Sequence, residues 1–205
     1  ASVKTSRREH RVTGAGLPSA LATGRPSGGI AHHTEFSASV DDEGSMAPRV
    51  TPKCCGSLRM DADVLVAGDA GVVEAPSTVY LIEAADTILV DTSFGDPDAM
   101  ADRHPDFPCH RPADQRLSAV LDAAGYAPSD VDSVVFTHLD WDHCYNLSLF
   151  DAETTFYVQR AELAYAVAPY PMHAERYEST SLGREPPWLT RDLRAIDGET
   201  ELCDG

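Results

Sequence analysis

Four side chains of the kinds that bind metal ions lie within six consecutive positions of this sequence, in the stretch THLDWDH, residues 137–143. They are His138, Asp140, Asp142 and His143. Imidazole nitrogen suits zinc, iron and similar ions, and carboxylate oxygen also admits harder ions such as manganese. Two ions about 3.5–4 Å apart can hold hydroxide as a nucleophile for hydrolysis. The cluster therefore predicts a two-metal site, and the alternative is an acidic loop whose histidines are incidental.

The place of the cluster along the chain favours the metal site. Residues 134–136 are Val-Val-Phe and predict a short buried strand directly before it. His138 and Asp140 are two positions apart, so in an extended chain both can face one ion. The adjacent Asp142 and His143 diverge and can serve a neighbouring ion. Because α/β proteins build their sites at the carboxyl ends of strands, this arrangement is typical of a functional loop.

The pattern around the cluster is that of a sheet-rich α/β domain. Short β-branched runs at residues 78–82 and 87–90 predict a hairpin with a buried second strand, and Asp91 stands at the end of that strand. Further predicted elements are a helix over residues 112–124, a turn capped by Ser129 and Asp130, a strand over 154–158 and a helix over 161–168. The pattern contains no internal repeat.

Residues 1–45 differ from the rest in composition. They are rich in Ser, Gly, Ala, Thr and His and show no sustained apolar periodicity. Such a segment buries too little apolar surface to offset the entropy of ordering it, so we expect a disordered extension. It is either a functional tail or an extension before a true start at Met46, and we favour the second. The folded domain is expected over residues 46–205.

Composition excludes some partners and suggests a compartment. The net charge is −17 and the isoelectric point about 4.6, a field that repels nucleic acids and anionic membrane surfaces. Aspartate outnumbers glutamate and lysine occurs only twice, a bias that resembles salt-adapted proteins. The five cysteines form no CxxC pair and indicate reduced thiols. With no apolar run of signal-peptide or membrane-span length, the sequence favours a cytoplasmic protein.

THLDWDH resembles the THxHxDH signature of the metallo-β-lactamase fold superfamily. VDTS at residues 90–93 and VQRAE at 158–162 resemble elements that flank this signature in its N-acyl homoserine lactonase branch. The resemblance covers residues 50–205. It implies an αββα sandwich of the α/β (α+β) class and hydrolysis of a small lactone or ester by a metal-bound hydroxide. It also implies two divalent ions, zinc or alternatively manganese or iron. Thioesterase or β-lactamase-type hydrolysis is the alternative on the same fold.

The resemblance also implies roles for individual residues. His138 would bind the first ion, and Asp142 and His143 the second. Asp142 would have a catalytic role as well, since it would orient the water and accept a proton. Asp91 would be a buried carboxylate that holds the ligand loop without binding metal, and the alternative is an ordinary strand-end aspartate. Trp141 is interpreted as a packing residue, with a substrate-facing role as the alternative.

Two departures from the family pattern affect these expectations. Asp140 stands where the family has a second histidine; it can still bind metal, and we expect manganese or iron to compete better with zinc there. The family's later ligands, two histidines and a bridging aspartate, find no match before Gly205. His173 is interpreted as a surface or substrate-side residue.

The sequence thus looks like the N-terminal portion of the sandwich, apparently incomplete at its C-terminus, as a truncated product or a fragment. We expect weak activity from it alone, unless a homodimer or a complementary C-terminal half completes the site. A non-catalytic remnant or metal-binding subunit is the competing hypothesis.

Overall fold

The computed structural model describes residues 47–203, so the predicted extension over residues 1–45 lies outside the described part. The described residues form seven strands and three α-helices. The strands are β1 Arg49–Asp61, β2 Val72–Glu83, β3 Thr87–Val90, β4 Cys109–His110, β5 Ser133–Phe136, β6 Thr155–Gln159 and β7 Leu193–Ile196. The helices are α1 Pro97–Arg103, α2 Leu117–Ala123 and α3 Arg160–Val167. None of the helices in residues 47–203 has the length and apolar composition of a membrane span.

The strands form one mixed sheet in the order β4-β1-β2-β3-β5-β6-β7. β1 to β3 are antiparallel neighbours, whereas β3, β5, β6 and β7 run parallel. Because β3 and β5 are parallel and adjacent, with Val90 opposite Val135, their carboxyl ends lie side by side. The residues that follow these two strands, from Asp91 and from Thr137, are therefore brought together although 46 positions separate them in the sequence.

The core lies on one face of this sheet. Buried side chains alternate with period two along β2 and β6, as expected for strands of a sheet covered on that side. The buried cluster includes Val79, Leu81, Leu89, Val134, Phe136, Phe156 and Val158 of the strands, with Leu117, Val120, Leu121 and Ala166 of α2 and α3. On the opposite face Tyr80, Val90, Val135 and Tyr157 form one cross-strand row, and none of the four is fully buried. That row keeps contact with solvent.

Most predicted elements are confirmed. The second hairpin strand, the strand before the cluster, the next strand and the helix that follows it all occur within one residue of the predicted bounds, whereas the first hairpin strand, predicted over residues 78–82, extends over Val72–Glu83. The helix predicted over residues 112–124 is wrong in its first part. Residues 113–115 make a single 3-10 turn, and Arg116 is extended with ψ 139°. α2 begins only at Leu117, because the extended Arg116 is its N-cap residue.

Candidate metal centre

The loop after β3 has a strained backbone. Asp91 and Ser93 both have φ of 62°, in the left-handed region that costs a residue other than glycine about 1–3 kcal/mol. Such strain persists where neighbouring groups hold the loop. Arg111 donates to the Ser93 hydroxyl at 2.9 Å and to the Phe94 carbonyl at 2.6 Å. Asn146 donates to the same carbonyl at 2.7 Å. The conformation of Asp91 is thus fixed by contacts from two other segments.

Asp91 is a buried carboxylate that accepts hydrogen bonds from the neighbouring loop. Its Oδ1 accepts from the backbone N–H of Thr137 at 2.8 Å, and its Oδ2 from the Thr137 hydroxyl at 2.7 Å. His143 Nδ1 lies 2.8 Å from the same Oδ2. Because a carboxylate accepts and does not donate, His143 carries its proton on Nδ1. Its Nε2 is then free to bind a metal ion.

Thr137 holds His138 in the same tautomer, with the proton on Nδ1. His138 Nδ1 lies 2.8 Å from the Thr137 hydroxyl oxygen. The single hydroxyl proton of Thr137 is already donated to Asp91, so the hydroxyl must accept from His138 Nδ1–H. In their neutral forms both imidazoles therefore present a lone pair on Nε2, the tautomer that a metal ligand needs.

The four predicted ligands lie as two neighbouring pairs. His138 Nε2 is 3.5 Å from Asp140 Oδ2, and His143 Nε2 is 3.5 Å from Asp142 Oδ2. The two imidazole ring centroids are 4.0 Å apart. Two ligands each about 2.1 Å from a tetrahedral ion stand about 3.4 Å from one another, so these separations suit a shared ion better than a hydrogen bond.

Asp140 has a partner that the sequence did not reveal. Its Oδ2 accepts from Nε and Nη2 of Arg176, at 2.9 and 2.6 Å. Its Oδ1 is buried and has no hydrogen-bond partner among the described residues. An unsatisfied buried carboxylate oxygen is costly, and a cation would satisfy it. The donor set and this oxygen therefore fit a divalent metal ion.

A second grouping of ligand atoms is also possible. Asp91, His138 and His143 each offer a donor atom within 4.8 Å of the others. Asp91 Oδ2 already accepts from Thr137 and His143, and Oδ1 from a backbone N–H. We therefore favour metal binding on the Nε2 side, with Asp91 orienting the imidazoles.

The electrostatics of the cluster follow from its burial and its carboxylates. Burial raises the pKa of Asp142, opposed by the charge of His143 and reinforced by that of Asp140. Burial alone would lower the pKa of His143. The hydrogen bond to Asp91 and the charges of Asp142, Asp91 and Asp140 outweigh burial and raise that pKa above its ordinary value of 6.5. A metal ion that binds Nε2 of protonated His143 must therefore displace a proton that this site holds more firmly than an exposed histidine does.

A cavity of about 600 Å³ opens beside the ligands. Asp140 and Asp142 lie on its wall, and Phe107 and Trp141 contribute apolar lining. Trp141 is 5% exposed and stacks on His104, with ring centroids 4.0 Å apart and an interplanar angle of 9°. Trp141 thus combines the packing role with a place on the cavity wall.

The structure places His173 in a local pair and adds residues that the sequence did not indicate. His173 Nδ1 lies 2.7 Å from the Tyr165 hydroxyl. Arg111 and Arg176 hold the strained loop and Asp140, respectively. Their partners lie 18 and 36 positions away in the sequence, beyond any local pattern. The sequence signal for Arg176 was Asp140 itself, because a carboxylate in place of a histidine adds a negative charge that a neighbouring cation can balance.

The sequence profile of a protein family described as the metallo-beta-lactamase superfamily matches residues 72–204, which is more than half of the chain. No curated protein matches the sequence.

Several solved structures share the fold. One is an N-acyl homoserine lactone hydrolase with the product N-hexanoyl-L-homoserine at its catalytic metal centre, with TM-score 0.59, 21% identity, and coverage of 76% of this chain and 62% of that chain. Another is a B. thuringiensis AiiA variant with N-decanoyl-L-homoserine at its active site, with TM-score 0.57, 22% identity, and coverage of 76% and 62%. A third is a probable metal-dependent hydrolase from Staphylococcus aureus, with TM-score 0.60, 17% identity, and coverage of 77% and 62%. This chain thus spans less than two thirds of each neighbour's length.

Proposed function

Because this chain belongs to the metallo-β-lactamase superfamily, we propose that it is a metal-dependent hydrolase that opens a lactone or a related ester. The observation that carries the proposal is the shared proton arrangement of the two histidines. Asp91 and Thr137 occupy both Nδ1 atoms, which directs both Nε2 lone pairs toward Asp140 and Asp142. An acidic loop with incidental histidines has no reason to orient them in this way.

In this proposal His138 and Asp140 would hold one divalent ion, and Asp142 and His143 would hold a second. When bound, such ions supply a Lewis acid for the substrate carbonyl and make water acidic enough to attack near neutral pH. Zinc is the first choice, with manganese or iron favoured more by Asp140 than by a histidine. The protein's own contribution is to keep both imidazoles in one tautomer and one orientation.

Asp142 has the properties of a proton acceptor in the same site. Its burial raises its pKa, so that it exchanges protons closer to neutral pH than an exposed aspartate does. It also lies on the wall of the cavity where a substrate would enter. We assign it the acceptance of the proton from the attacking water and its delivery to the leaving oxygen.

The cavity supports a small-molecule substrate with an apolar part. Its lining by Phe107 and Trp141 suits an acyl chain, while the ligand carboxylates mark the polar end. Two neighbours of the same fold hold N-acyl homoserine molecules, and this makes a lactone the substrate class to test first. We propose a cytoplasmic location and a homodimer.

The experiment is a hydrolysis assay on the protein loaded with zinc or manganese. The substrates are N-hexanoyl homoserine lactone, a simple thioester and a chromogenic β-lactam, and acid release is followed in a pH-stat. The lactone should be hydrolysed fastest, and Asp142→Asn should lower kcat by at least about 100-fold. His110→Ala, an exposed histidine on β4, is the matched control and should keep its activity.

The other outcomes separate the alternatives. Faster hydrolysis of the thioester or the β-lactam would transfer the proposal to those enzyme classes. Bound metal without hydrolysis of any substrate would contradict it and favour a metal-binding remnant or subunit.

A further inference from the structure

Glu178 is a fully buried carboxylate behind the cavity wall. Its relative exposure is 0%, and its Oε1 lies 2.8 Å from His104 Nε2. Its Oε2 accepts from the Tyr145 hydroxyl at 2.6 Å and from Arg103. Burial raises its pKa, but the bonds from His104 and Tyr145 and the charge of Arg103 lower the pKa below its ordinary value. Glu178 is thus held as an anion with its acceptor sites filled.

The backbone at Glu178 is strained in order to place this side chain. Its φ is 48°, in the left-handed region that a β-carbon disfavours. The flanking turn is fixed by backbone hydrogen bonds from Glu178 N to the Glu175 carbonyl and from Ser179 N to the Ala174 carbonyl, at 3.2 and 2.9 Å. Strain at a non-glycine residue that surrounding contacts enforce is a feature of functional sites.

One connection from Glu178 runs to Tyr145, which lies two residues after His143, just beyond the ligand loop of residues 140–143. The Tyr145 ring lies so close to Gly95 that a β-carbon there would come within 2.8 Å of Tyr145 Cδ1. Tyr145 N donates to the Ser93 carbonyl at 3.0 Å. Glu178 therefore fixes the end of the ligand loop against the strained loop after β3.

The other connection runs through His104 to Trp141. The His104 ring is 4% exposed, binds Glu178 through Nε2 and stacks flat on the Trp141 indole. Trp141 lies between Asp140 and Asp142 in the sequence, so its position constrains both carboxylates. Glu178 thus reaches residues 141 and 145, on either side of Asp142 and His143.

We propose that Glu178 is a positioning residue for the ligand loop, residues 140–143, which it fixes through Tyr145 and through the His104–Trp141 stack. This inference rests on the proposed metal-binding function of that loop. Glu178 touches neither the ligands nor the cavity, so it acts on metal affinity and on the order of Trp141. A residue that serves stability alone would lower the free energy of unfolding and leave both of these unchanged in the folded protein.

The test compares Glu178→Gln with Glu83→Gln in a Trp188→Phe background, where Trp141 is the single tryptophan. Glu83 is a matched control, because it also accepts from an arginine and a tyrosine, at the far end of β2. Acrylamide quenching of Trp141 in the metal-free protein reports its order. Titration with Co²⁺, followed by its absorption spectrum, reports metal affinity.

Glu178→Gln should bind Co²⁺ about 10–100-fold more weakly and expose Trp141 to quencher, whereas Glu83→Gln should match the parent in both measurements. Equal quenching and equal Co²⁺ affinity in folded Glu178→Gln would overturn the proposal. If Glu178→Gln does not fold, Tyr145→Phe replaces it, because this variant removes one hydrogen bond to Glu178 and keeps the aromatic ring against Gly95. Tyr145→Phe should weaken Co²⁺ binding and expose Trp141 in the same way, but to a smaller extent. Absence of both changes in Tyr145→Phe would also overturn the proposal. If the parent binds no Co²⁺, the proposed function fails, and quenching alone decides the role of Glu178.

Discussion

At the level of single residues, one hydroxyl proton sets how the candidate centre presents its two imidazoles. Thr137 donates that proton to Asp91, so its oxygen accepts from His138, while Asp91 accepts directly from His143. One carboxylate thereby sets the tautomer of two imidazoles. Hydrogen-bond partners of this kind typically change metal affinity by about 10–100-fold when they are removed.

Asp91→Asn should therefore weaken metal binding about 10–100-fold. An amide N–H₂ facing His143 Nδ1 would favour the tautomer with the proton on Nε2, which cannot bind metal. Isothermal titration with Zn²⁺ measures the change. Asp122→Asn, an exposed aspartate on α2, is the control, and equal affinities in the two variants would contradict the role of Asp91.

Metal affinity should also rise with pH over a range that His143 sets. Its folded-state pKa is raised above 6.5 against the opposing effect of burial, chiefly by the Asp91 hydrogen bond. In the metal-free protein this protonation stabilises the fold below pH 6.5, and that stabilisation is lost as pH rises through the folded pKa. Zn²⁺ affinity should increase through the same range. In Asp91→Asn the rise should move to lower pH, and an unshifted profile would be evidence against this assignment.

Asp140→His should change which metal the site prefers. A neutral nitrogen in place of an anionic oxygen favours zinc over manganese, and we expect the ratio of their affinities to rise about 10-fold or more. Competitive dialysis against both metals measures this ratio. Arg176→Ala keeps the carboxylate and controls for loss of the ion pair. An unchanged ratio in Asp140→His would show that Asp140 is not a ligand.

At the level of elements, the centre depends on two loops that parallel neighbours β3 and β5 bring together. Arg111 makes several of the contacts that hold the loop after β3. Its guanidinium binds the Cys55 carbonyl at 2.9 Å, the Gly95 carbonyl at 2.8 Å and the Ser93 hydroxyl, and it stacks 3.9 Å from the Phe94 ring centroid. A lysine has one point charge and cannot form this fork.

Arg111→Lys should lower the free energy of unfolding by about 2–4 kcal/mol, because carbonyls that now bind a charged group would lose their partners. Urea denaturation of the metal-free protein measures this. Arg116→Lys, at an exposed position before α2, is the matched control and should change stability by less than about 0.5 kcal/mol. Similar changes in the free energy of unfolding for the two substitutions would show that the Arg111 contacts do not stabilise the fold.

The same elements show what the sequence could and could not predict. β3, β5, β6 and the second half of β2 were predictable because their β-branched or aromatic runs are uninterrupted, and the end of α3 was predictable from Pro169 and Pro171. The first half of β2 contains Pro76 and was not predicted. Nor was β1, since Pro52 and Gly56 interrupt it. Pro52 lies within the pairing with β2, and Gly56 has φ of 110° at a register shift. Local patterns also indicated the candidate metal ligands, but not Arg176 or Glu178, whose contacts depend on long-range packing.

For the whole molecule, the dominant feature is negative charge. Residues 1–45 hold five basic and five acidic residues, so the net charge of −17 belongs to residues 46–205. Charges of one sign repel one another in the compact state, and dissolved salt screens that repulsion over a distance that falls from about 30 Å at 0.01 M to about 3 Å at 1 M.

The melting temperature should therefore rise with KCl, by several degrees, between about 0.01 and 1 M. Differential scanning calorimetry of the metal-free protein measures this, with sucrose as an uncharged control. A plateau near 1 M indicates screening alone, while a continued rise above it supports salt adaptation. A melting temperature that falls as KCl is added would contradict the importance of this repulsion.

The metal content of the purified chain tests the candidate metal centre most simply. The protein is dialysed against Zn²⁺ or Mn²⁺ and then analysed by inductively coupled plasma mass spectrometry, beside a His138→Ala, His143→Ala double variant and the His110→Ala control. We predict metal in the parent and in the control, and its loss in the double variant. Equal metal content in all three proteins would show that residues 138–143 are not a metal centre.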